Sequence, residues 1–387
     1  MPTPINDLPR QRIASVDALR GATFILMLFV NSLGGASGIP AGIHHVAAGI
    51  DGMGLADIVF PAFMFAVGMS IPFAINSRIA KGDSAAQLQL HIGYRAFGLI
   101  VIGFYMVNME AGYNEIAMGM RIEVWSLAFY AALALVWGVY RFEHPIVNPM
   151  LRFAGVALIV WLGAVYRGGN EGTGWMTPQW WGILGCIGWT YLAASVLYLL
   201  ARGRAAVLAG AIGLCVACFA YTNGHASLGA IAMHASHLSI VLAGVVCALL
   251  FFDGAGRRSA QAAMFMAALA MTGWLLHGTY PVSKIGATPP WALYCAALCV
   301  GAFTLLYWVI EVRGARRWTA LLEPAAASPL ITYLLPFVLA ALMGYFELRW
   351  IPSLRHGAGA IAFALVYTAA VLLVVSRLNA LNVKLKL

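Results

Sequence analysis

The chain has 387 residues, of which 62% are hydrophobic and 10% are charged. Soluble domains carry about a quarter charged residues, so this composition excludes an ordinary soluble protein, and so much apolar sequence also excludes intrinsic disorder. The 23 lysines and arginines exceed the 14 acids and give a net charge of +9, which in a membrane protein indicates basic cytoplasmic connections rather than a nucleic-acid partner.

Twelve apolar segments of helical length follow one another along the chain. Because lipid offers no partner to backbone polar groups, a chain crosses a bilayer as helices of about 20 residues. We therefore predict an all-α polytopic membrane protein with about twelve transmembrane helices, eleven being the alternative, in a single integral membrane domain over residues 1–387. The predicted spans are 13–34, 55–76, 92–109, 122–140, 150–166, 181–201, 205–222, 232–252, 259–278, 290–311, 328–347 and 358–377.

The basic residues predict an orientation for these spans. Of the 23 lysines and arginines, 18 lie in one set of alternate connections, which includes both ends of the chain, and five lie in the other set. Because cytoplasmic connections carry the excess of these residues, we predict cytoplasmic N and C termini. Seven of the nine histidines then fall on or near the outer side: His44, His45, His225, His234, His237, His277 and His356.

Residues 12–76 form the least ordinary part of the chain. We assign residues 12–110 to one block, which contains the proposed catalytic loop, and residues 111–387 to the remaining helical bundle. Asp17 and Arg20 lie one helical turn apart at the cytoplasmic entrance of the first span, a spacing that allows them to pair. Asn31 lies near the other end of that span, where its amide can donate a hydrogen bond without the cost of a buried ion. Structural roles remain open for all three residues: Asp17 and Arg20 could form a capping and snorkelling pair, and Asn31 could bridge two helices.

A glycine-rich connection over residues 34–54 follows the first span. It contains His44 and His45, a single acid and no lysine or arginine, and such a loop can fold back into a protein-lined cavity at membrane depth. Asp57 begins the second span. Because an acid inside a membrane span is a candidate functional residue, we predict that Asp57 orients a histidine of this loop.

Two further cationic positions are candidates for binding anions. Arg95 is predicted to lie three residues inside the third span on the cytoplasmic side, where a guanidinium suits bidentate phosphate binding, with snorkelling to the interface as the alternative. Ser283 and Lys284 follow a span on the outer side. We predict that they contact a substrate, the alternative for Lys284 being a position that faces water.

The sequence predicts neither a metal nor a disulfide framework. His234 and His237 have a spacing that suits a metal, but no carboxylate or third histidine lies near them in sequence. The six cysteines fall in apolar segments, where free cysteine behaves as a small buried hydrophobe. Cys215 and Cys218 form a CxxC pair without a second such pair.

Four sequence blocks, in a fixed order, point to a known family. They read SVDALRGATFILMLFVN, LADIVFPAFMFAVGMSI, IGYRAFGLIVIG, and YPVSK followed at a distance by LLYWVIE. Together they resemble the heparan-α-glucosaminide N-acetyltransferase family and its bacterial transmembrane acyltransferase relatives, over most of the first 105 residues and a stretch near 280–312. Members are polytopic enzymes that take acetyl from cytosolic acetyl-CoA and deliver it to an amino sugar across the membrane.

The resemblance implies an acetyltransferase with acetyl-CoA as co-substrate, an amino-sugar or glycan acceptor, and a location in a bacterial inner (plasma) membrane. The family's essential histidine lies shortly before the LADIVFP-like block, which implies His45 or its neighbour His44 as general base or transient acetyl carrier. Asn31 matches the asparagine that ends the first block and is the implied oxyanion donor. Asp57 matches the acid of the second block and is the implied orienting group.

The third block implies the binding site for CoA. Arg95 matches its arginine, and we predict that Arg95 and Arg20, with Asp17 beside it, hold the CoA phosphates. The chain departs from the family's pattern at two points. The Trp-Asn/His-Gly that normally follows the histidine is absent, and RIEVWSLAFY stands in place of a GVLQR-like block without its Gln-Arg pair.

Two other functions remain open at the level of sequence. Twelve spans with both termini inside also suit a secondary transporter for a small polar solute, although no repeat relates the two halves and carboxylates are scarce within the spans. An O-acetyltransferase of an envelope glycan or lipid is the other alternative, because a base and an oxyanion donor serve either nucleophile. A homo-oligomer is compatible with the sequence.

Overall fold

The computed structural model describes residues 5, 8, 13–140, 144, 146–253, 258–348 and 351–387. Five of the basic residues used to predict the orientation therefore lie outside the described residues, as does the first residue of the 12–110 block. These five are Arg10, Arg12, Arg141, Arg257 and Arg349.

Each of the twelve predicted spans coincides with a helix. The helices are α1 Ala14–Ser32, α2 Leu55–Ala80, α3 Ala85–Glu110, α4 Ile122–Trp137, α5 Val147–Val165, α6 Gly182–Leu200, α7 Ala205–Thr222, α8 Gly229–Phe252, α9 Arg258–His277, α10 Pro289–Tyr307, α11 Pro329–Tyr345 and α12 Gly357–Ala380. Short helical segments are Ala41–Ile43, Glu115–Met118, Ala226–Leu228, Trp308–Val312, Arg317–Leu321, Glu323–Ala327 and Pro352–Arg355. Over the described ranges the protein is all-helical and has no β-strand.

Ten of these helices are long and apolar enough to cross a bilayer, counted over the described residues. The other two, α4 and α11, have 16 and 17 residues. Both are shorter than the roughly 20 residues that a perpendicular span requires. The fold is therefore an all-α membrane bundle with ten candidate spans in the part of the chain that is described.

α2 ends later in the chain, and α3 begins earlier, than hydropathy predicts. α3 begins at Ala85 because Ser84 and Gln87 form a reciprocal cap: the Gln87 amide N–H donates to the Ser84 hydroxyl at 3.3 Å, and the Ser84 N–H donates to the Gln87 side chain at 2.8 Å. The prediction that Arg95 lies three residues inside its helix is therefore wrong. Arg95 lies ten residues beyond Ala85, or about 15 Å along the helix axis.

α2 and α8 form the close contact at the centre of the bundle. A Cβ on Gly68 would lie 2.0 Å from the Val241 carbonyl oxygen, and one on Gly244 would lie 2.1 Å from the Phe65 carbonyl oxygen. Such contacts require glycine, because the two backbones touch, as is common where small residues line helix interfaces in membranes. This contact fixes the position of α2, which carries Asp57 in its first turn.

α1 and α2 run antiparallel. The Arg20 guanidinium donates to the Ser70 hydroxyl at 2.8 Å, and the Phe24 and Phe63 rings pack edge to face with centroids 4.2 Å apart. Continuing this register by about two helical turns, or roughly 10 Å, brings Asn31 on α1 to the same height as Asp57 on α2. The end of α1 and the start of α2 therefore share one end of the bundle.

Candidate functional site

Asp57 is a buried carboxylate in the first turn of α2, with a side chain that is 2% exposed. One carboxylate oxygen accepts the backbone N–H groups of Gly54 at 2.9 Å and Val46 at 3.0 Å, and the other lies 2.7 Å from Nδ1 of His45. A buried charge is tolerated only when it is paired and hydrogen-bonded. The loop that precedes α2 thus folds around this carboxylate and supplies its partners.

The pair with Asp57 sets the orientation of the His45 ring. When Nδ1 donates its hydrogen to the carboxylate, the lone pair of the neutral imidazole lies on Nε2. The His45 side chain is 52% exposed, so the imidazole is accessible from outside the bundle. The arrangement is that of a histidine whose far nitrogen can accept a proton.

Gly54 allows the loop to close on itself. A Cβ at this position would lie 2.1 Å from the carbonyl oxygen of His44, so no larger residue fits without moving the backbone. The contact brings the His44 and His45 segment against the start of α2. His44 itself is half-buried, and over the described residues no hydrogen bond joins its ring to another group.

Lys284 is the third member of the site and comes from the connection between α9 and α10. Its Nζ lies 3.2 Å from Nδ1 and 3.4 Å from Nε2 of His45. Burial lowers the pKa of Lys284 from its ordinary 10.5, and the nearby Asp57 carboxylate partly opposes this shift. The site therefore combines a buried anion, an imidazole and a partly desolvated cation.

The loop that carries Lys284 is held by its own hydrogen bonds. The Thr288 hydroxyl donates to the Pro281 carbonyl at 2.6 Å and accepts the Ser283 N–H at 3.0 Å, while the Ser283 hydroxyl accepts the Gly286 N–H at 3.1 Å. The Ser283 side chain thus stabilises the turn next to Lys284.

Asp51 ties the two site loops together. Its carboxylate accepts the Val282 N–H at 2.8 Å and contacts Nε2 of His277 at 2.8 Å, and the Gly52 N–H donates to the Val282 carbonyl at 2.9 Å. The hydrogen bond from His277 lowers the pKa of Asp51. The Trp291 indole adds a further link by donating to the Asp57 carbonyl at 3.1 Å.

Asp51, His277 and Trp291 were not predicted from the sequence to belong to the site. Asp51 is the lone acid of a glycine-rich loop, and this was the available signal. Its partner His277 lies 226 positions away in the chain, a separation that a local pattern does not bridge.

Asn31 lies at the same height in the bundle as this site but does not contact it. Its side chain is exposed in the last turn of α1, and in the described ranges no hydrogen bond joins its amide to His45 or Lys284. The following segment is anchored elsewhere: Leu33 and Ile39 pack against the start of α12, and the Ser37 N–H donates to the Arg355 carbonyl at 3.0 Å.

The remaining candidates lie toward the other end of the bundle. Arg20 pairs with Asp17 at 3.0 Å, as predicted, and also bonds to Ser70. Ser70 is thirteen residues beyond Asp57 on α2, or about 20 Å along the axis. The Arg95 guanidinium lies over the Tyr191 ring of α6, 5.1 Å from its centroid. No contact in the described part of the chain joins Arg95 to Arg20.

Comparison with known proteins agrees with the motif resemblance. The sequence profile of the family described as "Domain of unknown function (DUF5009)" matches residues 12–248. The heparan-alpha-glucosaminide N-acetyltransferases of Homo sapiens and Mus musculus are 40% and 37% identical to this chain over 97 residues. Each match covers 25% of this chain and 14% of the relative, so the chain spans a small part of the length of the curated relatives it matches.

Proposed function

The chain belongs to the DUF5009 family, and we propose that it is a transmembrane acetyltransferase that moves acetyl from cytosolic acetyl-CoA to an amino sugar or glycan on the opposite side of the membrane. The observation that carries the proposal is the His45 and Asp57 pair beside Lys284, at one end of a candidate span. The identity to two N-acetyltransferases over 97 residues supports the choice of reaction.

His45 is the proposed general base. As the acceptor amine attacks the thioester carbonyl, the C–N bond forms and Nε2 of His45 takes the amine proton. The C–S bond then breaks, and the imidazolium returns this proton to the CoA thiolate. Asp57 stabilises the imidazolium through the 2.7 Å contact. The same nitrogen can instead attack the thioester and carry the acetyl group, and trapping of a radiolabelled acetyl-protein distinguishes the two routes.

Lys284 and Asn31 are the proposed electrostatic partners of the reacting carbonyl. The ammonium of Lys284 lies against the His45 ring, so it adds positive charge where an oxyanion develops. Asn31 is exposed at the height of Asp57 and is proposed as an amide donor to the same oxyanion. Ser283 acts in this proposal through the loop that presents Lys284 to the acceptor.

The donor enters from the opposite end in this proposal. Arg20 and Arg95 are the proposed cations for the CoA phosphates, because guanidinium groups bind phosphate oxygens in a bidentate manner. Asp17 holds Arg20 by their 3.0 Å ion pair. The excess of basic residues at this end also supports a cytoplasmic donor face, and the proposal locates the protein in a plasma (inner) membrane of bacterial type.

The test compares two neighbouring histidines in an assay of CoA release with purified full-length protein. We expect His45→Gln to lower kcat about 10²- to 10⁴-fold, the usual contribution of a general base, because it removes the proton acceptor beside Asp57. His44→Gln is the matched control and should retain activity within a few-fold. Acceptors should include amino sugars and sugars with hydroxyl groups alone, which separates N- from O-acetylation. Equal activity of His45→Gln and wild type would refute the proposal.

A further inference from the structure

Three side chains that commonly bind metals meet between α6 and α8. Cys186 lies in the second turn of α6, and His234 and His237 lie one turn apart on α8. One nitrogen of each imidazole and the Cys186 sulfur all lie within 4.8 Å of one another. Cys186 and His237 are buried, and His234 is half-buried.

The two imidazoles have polar atoms without protein partners. Nδ1 of His234 and Nδ1 of His237 are both buried, and neither atom forms a hydrogen bond with any of the described residues. His237 is enclosed by aromatic rings, with the Phe60 and Trp291 centroids 5.2 and 5.9 Å from its own. Buried polar atoms are nearly always satisfied, so two unsatisfied imidazoles beside a thiol require an explanation.

We propose that Cys186, His234 and His237 bind a Zn²⁺ or Cu⁺ ion. Thiolate and imidazole are the ligands that these ions prefer, and the group contains no carboxylate of the kind that Mg²⁺ or Ca²⁺ requires. In a tetrahedral site the ligand atoms lie roughly 3.5 Å apart, so atoms that lie within 4.8 Å of one another need to move by no more than about 1 Å. The Cys186 thiol, which contacts the Trp180 carbonyl at 3.5 Å, gives up its proton to solvent as the metal–sulfur bond forms.

Of the three side chains, His234 also borders a groove between α6, α7 and α8. The groove has a volume of about 430 Å³, and His234, Cys215 and Cys218 are among the residues that line it. It gives the half-buried His234 an opening to the surface, whereas Cys186 and His237 are buried. The sequence showed the histidine pair but not the third ligand, because Cys186 comes from another helix.

The test uses purified full-length protein in detergent, titrated with Co²⁺ as a spectroscopic substitute for Zn²⁺. We expect about one ion per chain, a sulfur-to-cobalt charge-transfer band and release of about one proton, as metal binding to a protonated thiol requires. Cys186→Ser should abolish the charge-transfer band, and His237→Gln should weaken binding more than about tenfold. Cys247→Ser, a buried cysteine farther along α8, is the matched control and should bind as the wild type does.

Folded wild-type protein that shows no charge-transfer band with Co²⁺ and also fails to bind Cu⁺ at one ion per chain would overturn the proposal, as would unchanged binding by Cys186→Ser. The wild-type result decides the question even if a variant fails to fold, and size-exclusion profiles show which samples are folded. Competition with chelators selective for Zn²⁺ or for Cu⁺ identifies the preferred ion. Tight binding of either ion at this stoichiometry supports the site.

Discussion

At the scale of single residues, the carboxylate of Asp57 is held by the loop that precedes α2. Two backbone N–H groups and the His45 ring bind it, so the histidine is held in one orientation by a carboxylate that is itself fixed by backbone hydrogen bonds. Preorganisation of this kind means that little reorganisation is needed when charge develops. The exposed Asp51 and His277 pair has the same contact distance to within 0.1 Å, but it joins two loops.

Replacement of Asp57 tests whether this carboxylate acts in catalysis or only supports the loop. We expect Asp57→Asn to lower kcat by about 10²- to 10⁴-fold, because the amide cannot stabilise an imidazolium and favours the wrong tautomer, while KM for acetyl-CoA stays unchanged. Asp51→Asn is the matched control and should leave kcat close to that of the wild type. Steady-state kinetics on both variants, with thermal unfolding to confirm folding, provide the check. Equal losses of kcat would show that Asp57 only supports the loop.

Lys284 should impose an alkaline limit on activity. Its pKa is lowered below 10.5 by burial, so the ammonium becomes neutral as the pH rises through this lowered value, and activity that depends on its charge should then fall. Lys284→Arg keeps its charge throughout and should remove the limit, whereas Lys284→Met should be less active at every pH. A pH profile of kcat tests this. A profile of Lys284→Met equal to that of wild type would contradict it, and Lys81→Met at the far end of α2 is the control.

At the scale of elements, hydropathy predicted where helices occur but not where α2 ends and α3 begins. Both helices continue past their apolar centres into polar sequence that ends with the Ser84 cap, so a window that counts apolar residues stops too early. The pairing of Asp57 with a loop histidine was predictable, because His45 lies only 12 residues before Asp57 in the connection that adjoins α2. The contribution of Lys284 to the same site was not, because it depends on the packing of α10 against α2.

The contact between α2 and α8 should be sensitive to one added methyl group. We expect Gly68→Ala to lower the free energy of unfolding by about 1–3 kcal/mol, as overpacking of a close contact does, because the new Cβ would lie 2.0 Å from a backbone oxygen. Gly213→Ala in α7 is the matched control. Its Cβ would meet nothing within 4 Å, so we expect a small gain of about 0.5–1 kcal/mol. Unfolding in detergent measures both, and equal stabilities would contradict the backbone contact.

At the scale of the whole molecule, the two ends of the bundle differ in chemistry. The His45, Asp57 and Lys284 site lies at the end where α2 begins, and Arg20 and Arg95 lie toward the end where α2 meets α3. The composition alone showed only an excess of positive charge. The positions of these residues along antiparallel helices separate the basic side chains from the histidine site, and the proposed function assigns the donor to the first end and the acceptor to the second.

The proposed function requires that acetyl crosses the membrane, and a sealed proteoliposome tests this transfer directly. Acetyl-CoA with a radiolabelled acetyl group is added outside, and an amino sugar is sealed inside, so that only transfer across the bilayer can label the sugar. We expect labelled sugar inside vesicles that contain the wild type and none with His45→Gln. The proposed function would be contradicted if label appeared only when both substrates were on the same side of the membrane. Loss of unlabelled sugar from the vesicles without acetyl-CoA would contradict it as well.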